Sequence, residues 1–577
     1  MNYNKRTHRC GELRPENAGE KVTLVGWVQR GRDLGGLAFI DLRDNTGITQ
    51  CVFDADNPLL AEAAEIKSEY VLCVQGTVRE RSSKNPNIPT GEVEVSVSSL
   101  EVLSKSQMPP FEISDDCNAG EILRLEYRYL DLRRPRLQKI LMMRHKVTQA
   151  VRRFYDQNGF YEIETPILTK STPEGSRDYL VPSRLHPGKF YALPQSPQQY
   201  KQLLMVAGMD RYFQIARCMR DEDLRADRQP DFTQIDVEMS FVDVEDILAM
   251  NEAMIKHVFR ETLSLELPEF PRMTYREAVE RFGSDKPDLR FGFELRDITD
   301  IAKKSAFAVF SSAQAVGVIN IDGAAEKFSR KELDSLTEFV KGLGVKGLAW
   351  HKGESSSFAK FLTPEELSAI EERASFKPGD LILAVADAKE ALVKSSLGAL
   401  RGECARRLGL LKDNKDYKFL WVTEFPMFEY NEEEGKLDAQ HHPFTSPMEE
   451  DIHLLDTNPG AARTKAYDMV CNGYELCSGS IRIHSAELQE KVFKLLNLSD
   501  ESMQNRFGHL LKAFKYGVPP HGGIGFGLDR IVMLIVGTES MRDVIAFPKT
   551  QSATEVMMSS PDVVDQKQLD ELGIALK

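Results

Sequence analysis

Between Pro519 and Gly537 the chain reads PPHGGIGFGLDRIVMLIVG, and this segment restricts the fold more than any other. Gly523, Gly525 and Gly527 alternate with Ile524, Phe526 and Leu528. A period of two with glycine on one face marks a strand whose backbone something approaches closely. Asp529 and Arg530 follow, then an apolar run from Ile531 to Val536 that reads as a buried helix opened by the strand. The spacing is not that of a dinucleotide-binding loop, because the third glycine falls in the wrong place. The sequence has no GxxxxGK loop either, so a P-loop is excluded.

A second segment, CMRDEDLRADRQPDFTQIDVEMSF from Cys218 to Phe241, predicts strand, charged loop, strand. Arg220, Asp221 and Glu222 stand beside a loop carrying Arg225, Arg228 and Gln229. The chain returns through Phe232 and Gln234 into the alternating run Ile235, Val237, Met239, Phe241. Two or three turn residues would close a hairpin more simply. Fixed guanidinium groups beside an aromatic ring suit a nucleotide, with arginine on phosphate oxygens and the ring on the base. A solvated surface loop is the plainer alternative.

With 577 residues, the chain exceeds what one core usually holds, and roughly four domains are expected. The apolar fraction of 42% and charged fraction of 28% are those of a soluble protein. No apolar run approaches the length of a membrane span, and the first residues contain no secretory core. Cys471 and Cys477, the nearest of eight cysteines, do not have zinc spacing. All eight read as reduced thiols of a cytoplasmic protein, with no zinc and no membrane partner expected. The net charge of −14 does not advertise a nucleic-acid partner, but charge acts locally. Residues 1–40 carry seven Lys/Arg against four Asp/Glu, and residues 124–136 carry five arginines against two acids.

Residues 1–105 hold five strand-like runs, KVTLVGWVQRGR, GLAFIDLRD, ITQCVFD, EYVLCVQGTVRER and EVEVSVSSLEVL. They suit a small barrel of the OB type, or another small barrel or sandwich. Residues 106–135 form a linker or hinge opening on Pro109 and Pro110. Leu137, Ile140, Leu141, Val147, Val151 and Phe154 then space as one helix face that ends at Gly159. Helical stretches at SRKELDSLTEFVKGLG and TPEELSAIEERASF change the character of residues 286–415, where His351 stands alone. The run FLWVTEFPMF is expected to be buried, and the closing PDVVDQKQLDELGIALK reads as a helix.

The two segments described first resemble motifs 2 and 3 of class II aminoacyl-tRNA synthetases, and GFYEIETPILTKSTPEG, with Gly159 and Pro166, resembles motif 1. Nearly end to end the chain is similar to bacterial-type aspartyl-tRNA synthetases, through TPEGSRDYLVPSR, QSPQQYK, QHHPFTSP, AYDMVCNGYE and GLDR. Asp529 stands where the general class pattern has glutamate, which fits this subgroup. The resemblance implies a multidomain α+β protein. An OB-type anticodon barrel (1–105) precedes an antiparallel-sheet catalytic domain with helices (136–285 and 416–577), which an α/β insertion domain (286–415) interrupts between motifs 2 and 3. The implied activity is ligation of aspartate to tRNA(Asp) through aspartyl-adenylate. A C2 homodimer through the Pro166 strand is implied too.

By the same resemblance, Arg220 holds the α-phosphate of ATP and the attacking carboxylate, and Arg530 holds the γ-phosphate. Asp221, Glu222, Gln229, Phe232, Glu475, Gly527, Leu528 and Asp529 complete the ATP site. For Arg220 and Arg530 the alternative is a structural ion pair. A turn at Asn472-Gly473 would let Asp468 and Glu475 converge as oxygen ligands for Mg²⁺; otherwise they are ordinary acids bordering a hairpin. Lys201 and Arg482 are implied to read the aspartate side chain, with Asp236 holding a cation in place. Ser196 and Gln198 shape the pocket, His441 closes it, and Glu174 meets the amino group; His442 reads as a turn residue before Pro443. Leaving a buried cation unpaired costs about 3–5 kcal/mol, so asparagine is expected to be rejected without editing.

For tRNA, Phe39 is implied to stack on an anticodon base, Gln50 and Glu94 to read base edges, and Arg30 and Arg32 to lie nearby. Phe39 could equally be a core position. Leu34 stands where many relatives of relaxed specificity have histidine, which favours charging of tRNA(Asp) alone. The alternative is a non-discriminating form that also charges tRNA(Asn). A lysyl enzyme would need carboxylates in the pocket, and an amide ligase would need no anticodon barrel.

Overall fold

A computed structural model describes residues 6–171, 175–224 and 227–576. The chain forms two compact units, Met1–His145 with Leu224–Gln229 and Thr538–Val564, and Lys146–Asp223 with Pro230–Gly537 and Asp565–Lys577.

The first unit contains a closed five-stranded barrel of β1 (Lys21–Asp33), β2 (Ala38–Asp44), β3 (Gly47–Phe53), β4 (Val71–Glu80) and β5 (Val93–Ser104), in the order β1-β2-β3-β5-β4. Alternation drives it: Leu24, Val28, Ile40, Leu42, Phe53, Leu72, Val74, Val93 and Val95 fill the interior. The intervening residues face outwards. The barrel closes where β3 and β5 run parallel, with Cys51 opposite Val95.

The second unit is built on an eight-stranded sheet. Its strands are β6 (Tyr161–Glu162), β7 (Arg211–Met219), β8 (Asp231–Ser240), β9 (Arg272–Thr274), β10 (Phe419–Thr423), β11 (Ala466–Cys471), β12 (Tyr474–Ile481) and β13 (His521–Gly527). They lie in the order β9-β10-β11-β12-β13-β8-β7-β6. The interior pairs are antiparallel, and both edge pairs, β9 with β10 and β6 with β7, are parallel. Helix α1 (Gln198–Val206) packs on β8, and α2 (Leu528–Val536) opens directly out of the glycine strand β13.

Between β9 and β10 the chain makes a separate four-stranded antiparallel sheet, ordered Leu295–Asp297, Ala315–Ile321, Leu381–Asp387, Ala349–His351. Alternate residues serve two cores. Ile319, Ile321, Leu383 and Val385 pack with helices Arg330–Gly342 and Glu390–Arg407. Val318, Ile382 and Ala384 pack with helix Pro364–Ala374. Ser329 and Thr363 begin two of these helices with capping boxes. His351 is a core residue, fully buried between Phe358 and Phe376, with Nε2 2.9 Å from Glu371.

Two sequence expectations need correction. The C-terminal stretch is helical only over Gln566–Leu572, because Pro561 and Gly573 bound it. The motif 1 strand is only Tyr161–Glu162, so Pro166 lies outside it. Pro166 lacks the N–H a ladder needs.

Candidate active site

Strand β8 carries the polar row of the site. Phe232, Gln234, Asp236 and Glu238 are two residues apart and share one face, while Ile235, Val237 and Met239 are buried on the other. Opposite that row, β13 places Gly527 against Gln234, Gly525 against Asp236 and Gly523 against Glu238. A Cβ at Gly523 would overlap the Glu238 carboxylate. The glycine face seen in the sequence is therefore the room in which buried charged side chains lie flat on the sheet.

Four charges meet there. Lys201, one turn into α1, donates to Asp236 Oδ1 at 2.7 Å and sits 3.3 Å from Glu238 Oε2. Arg482, just past β12, donates through Nε and Nη2 to the two Glu238 oxygens at 3.0 and 3.2 Å, and through Nη1 to Ser480 Oγ at 2.7 Å. Burial alone would raise the Glu238 carboxyl, but Arg482 and Lys201 outweigh it and hold the group below its ordinary range. Asp236 is pushed up by burial despite Lys201, and its Oδ2 is buried without a hydrogen-bond partner among the described residues. Glu238 was missed by the sequence reading, although Gln234, Asp236 and Glu238 recur every second residue on a buried strand.

His441 and His442 border this cluster. His441 Nδ1 lies 3.2 Å from Ser478 Oγ, its ring packs edge-on against Phe425, and burial lowers its pKa to about 4. His442 accepts from Phe444 N at 3.3 Å, as a turn residue would. Burial, with Arg482 and Lys201 adding to it, lowers its pKa to about 3. Ser196 Oγ accepts from Gln198 N at 3.2 Å at the start of α1. Glu174 lies outside the described residues. Just after it, Ser176 is fixed by Gln195, a further residue the sequence reading passed over, whose Nε2 donates to Ser176 O and Asp178 Oδ1 at 2.8 and 2.6 Å.

The residues expected to meet the nucleotide are placed as follows. The Arg220 guanidinium lies over the Phe232 ring at 5.1 Å, and its Nε is buried with no hydrogen-bond partner among the described residues. Asp221 bridges to Arg177, N to O at 3.1 Å. Ser176 Oγ is 3.5 Å from Glu222 Oε2. Asp529, buried, accepts from Thr233 N at 2.9 Å and ties the start of α2 to β8. Arg530 Nη1 donates to Glu475 O at 2.8 Å. Leu528 is buried at the start of α2, and Gly527 caps that helix. Gln229 exchanges two hydrogen bonds with the Lys549 backbone, at 3.0 and 2.8 Å.

Asn472 and Gly473 turn β11 into β12, with Asp468 opposite Ser478 and Glu475 opposite Val470. Burial, and then the Glu475 charge, push Asp468 well above the carboxylate range, and its Oδ1 has no hydrogen-bond partner among the described residues. An orphaned buried carboxylate oxygen beside a second carboxylate suits a hard divalent cation. Among the described residues no third His, Cys, Asp or Glu completes an all-protein cage, so water or ligand oxygens would fill the remaining positions.

On the barrel, Ala38 and Ile40 point inwards and Phe39 outwards, with the Arg32 guanidinium 5.6 Å over its ring. Phe39 is therefore not a core residue. Gln50 and Glu94 are buried in a network. Gln50 donates to Glu94 at 2.9 Å and accepts from Arg32 and Arg81 at 3.2 and 2.8 Å, while Arg79 holds Glu94 at 2.8 Å. Arg30 and Leu34 are exposed.

Residues 120–551 match the family described as tRNA synthetases class II (D, K and N), and residues 22–103 match the OB-fold nucleic acid binding domain. An aspartate–tRNA ligase of Ruminiclostridium cellulolyticum is 57% identical, over 99% of this chain and 98% of the relative. An aspartate–tRNA(Asp/Asn) ligase of Caldanaerobacter subterraneus subsp. tengcongensis is also 57% identical, with the same coverage. Among solved structures, asparaginyl-tRNA synthetase from Pyrococcus horikoshii complexed with asparaginyl-adenylate has a TM-score of 0.59 at 19% identity. That likeness covers 94% of this chain and 98% of the other.

Proposed function

The chain belongs to the class II tRNA synthetases of the D, K and N group, and we propose that it is an aspartate–tRNA ligase whose aspartate pocket is the Lys201–Asp236–Glu238–Arg482 cluster. The observation that carries the reading is that cluster's charge pattern: two buried cations, each already braced by a carboxylate. A side-chain carboxylate entering beside Lys201 and Arg482 meets fixed donors. The orphan Asp236 Oδ2 accepts from the amino acid's ammonium group. An amide in place of the carboxylate offers these donors only a neutral acceptor, and charge-assisted hydrogen bonds are roughly twice as strong as neutral ones.

In activation, the substrate's α-carboxylate attacks the α-phosphorus of ATP, aspartyl-adenylate forms and pyrophosphate leaves. Arg220 holds carboxylate and α-phosphate together, which lowers the entropy cost of their encounter and offsets charge on the transferring group. Its unpartnered Nε is a donor in place before substrate arrives. Phe232 stacks on adenine, Glu222 accepts from its amino group, and Arg530 holds the γ-phosphate. Asp468 and Glu475 would hold Mg²⁺, which neutralises triphosphate charge when bound. The terminal tRNA hydroxyl then attacks the adenylate carbonyl and expels AMP.

The barrel reads the anticodon, with outward-facing, half-buried Phe39 as the stacking platform and Arg30 and Arg32 on the backbone. Leu34 supports restriction to tRNA(Asp). Exposed Tyr161, Ile167 and Leu168 in motif 1 form an apolar surface suited to a homodimer. The first residue of the insertion domain, Lys286, lies 3.9 Å from Glu475 Oε2.

Purified tRNA(Asp) and tRNA(Asn) charged with labelled aspartate, ATP and Mg²⁺ test the reading. Charging of tRNA(Asp) alone is expected. Charging of both would replace strict with relaxed specificity, and charging of neither would overturn the function.

A further inference from the structure

Gln198, Lys201, Gln202 and Met205 form the buried face of α1, spaced as one helical stripe. Lys201 belongs to the charged cluster, and Gln202 is wholly buried behind it. Gln198 Nε2 donates to Gln202 Oε1 at 3.2 Å. Gln202 Nε2 lies 3.3 Å from Nε2 of His521, the first residue of β13, which is also fully buried. The other ring nitrogen, Nδ1, is 2.8 Å from Pro519 O.

These contacts have one consistent direction. Pro519 O can only accept, so His521 Nδ1 carries a proton. In the neutral ring Nε2 is then an acceptor and takes a hydrogen from Gln202 Nε2. That leaves Gln202 Oε1 to accept from Gln198 Nε2. Gln198 Oε1 has no hydrogen-bond partner among the described residues, and Gln198 shares its helix face with Lys201.

We propose that His521 and Gln202 are positioning residues that lock the Gln198 amide with its oxygen towards the pocket, as an acceptor for the ammonium group of the incoming amino acid. The inference rests on the proposed aspartate pocket. A proton on His521 Nε2 would reverse the chain: the imidazolium would donate to Gln202 Oε1, and Gln202 Nε2 would donate to Gln198 Oε1. The Gln198 amide nitrogen would then face the ammonium group, and donor would meet donor.

The surroundings keep His521 neutral. Burial lowers its pKa, Arg482 and His484 after β12 add to that, and Glu238 on β8 and Pro519 O oppose it. From α1 it meets uncharged Gln202, and Lys201 on the same helix is held by Asp236 and Glu238.

Aspartate-dependent ATP–pyrophosphate exchange on the full chain tests this, with KM for aspartate and for ATP measured separately between about pH 5 and 8.5. Gln198→Leu is the control. If it leaves the aspartate KM unchanged, the pocket reading fails and this inference fails with it. If it raises that KM, Gln202→Met should also raise it, roughly tenfold, with the ATP KM moved less than about twofold. An unchanged aspartate KM in Gln202→Met overturns the relay alone and leaves the pocket standing. Gln202→Glu supplies a second arm if the methionine variant does not fold. Its carboxylate has no hydrogen to give, so it accepts from Gln198 Nε2 whether or not His521 is protonated, and the acceptor orientation no longer depends on the histidine. The wild type should lose aspartate affinity towards acid, and Gln202→Glu should not. The same slope in both proteins overturns the proposal.

Discussion

Glu238 holds Arg482 through two parallel hydrogen bonds, Nε to Oε1 at 3.0 Å and Nη2 to Oε2 at 3.2 Å, with both side chains removed from water. The pair fixes the guanidinium, whose Nη1 donates to Ser480 Oγ at 2.7 Å. Glu238→Gln keeps the shape and removes the charge, leaving Arg482 and Lys201 with Asp236 alone. Breaking a buried pair costs about 3–5 kcal/mol, and urea unfolding should show a loss of that order. The aspartate kcat/KM in exchange should fall about a hundredfold. The Glu238 pKa is lowered on folding, so its contribution is present above the unfolded carboxylate range and is lost as pH falls through the folded value. The acid limb of the stability curve should therefore be shallower in the variant. A variant as stable as wild type with unchanged kinetics would show that Arg482 is placed by the backbone alone.

Arg220→Lys separates charge from geometry. The parent guanidinium is stacked on Phe232, and its Nε is buried without a partner among the described residues. Lysine keeps the positive charge but cannot hold a carboxylate and a phosphate side by side. Exchange kcat should drop about 10²- to 10³-fold, while stability changes by under about 1 kcal/mol, the range of a surface-like substitution. Retained kcat in the variant would assign Arg220 to structure.

Much of this was legible in the sequence because its signals are periodic. The five barrel strands, the glycine strand running into α2, the hairpin at Asn472-Gly473 and the two capped insertion helices are all local patterns, and each forms where its pattern lies. Three kinds of information were less accessible. The edge strand at motif 1 is two residues long and ends four residues before Pro166, which alternation does not reveal. Glu238 was overlooked because a carboxylate on a buried strand makes sense only when Arg482 arrives from another strand. The relay from His521 to Gln198 spans more than 300 residues of sequence, and no local spacing foreshadows it.

The barrel can be tested apart from the chemistry. Phe39 faces outwards with Arg32 over its ring, while Gln50 and Glu94 are engaged with arginines beside it. Removing the platform in Phe39→Ala should cost one base stack, about 1–3 kcal/mol, and raise the KM for tRNA(Asp) about ten- to a hundredfold. Aspartate-dependent exchange without tRNA should be unchanged. A loss of exchange would mean that the substitution unfolds more than the barrel surface.

Asp468 offers the clearest opposition between stability and activity. Its carboxyl is raised by burial and by Glu475, so the native chain holds this proton more tightly than the unfolded chain does. Stability from this group therefore falls as pH rises from the unfolded carboxylate range towards the folded value. Asp468→Asn removes that charge, and in EDTA at pH 8 the variant should be more stable than wild type by about 1–2 kcal/mol. Adding Mg²⁺ with ATP should raise the wild-type Tm and move the variant much less, because a neutral amide is a poorer ligand for a hard cation. Aspartate-dependent exchange should fall at least about a hundredfold in the variant. If Asp468→Asn is instead less stable than wild type in EDTA, the carboxylate serves the hairpin and the cation belongs elsewhere.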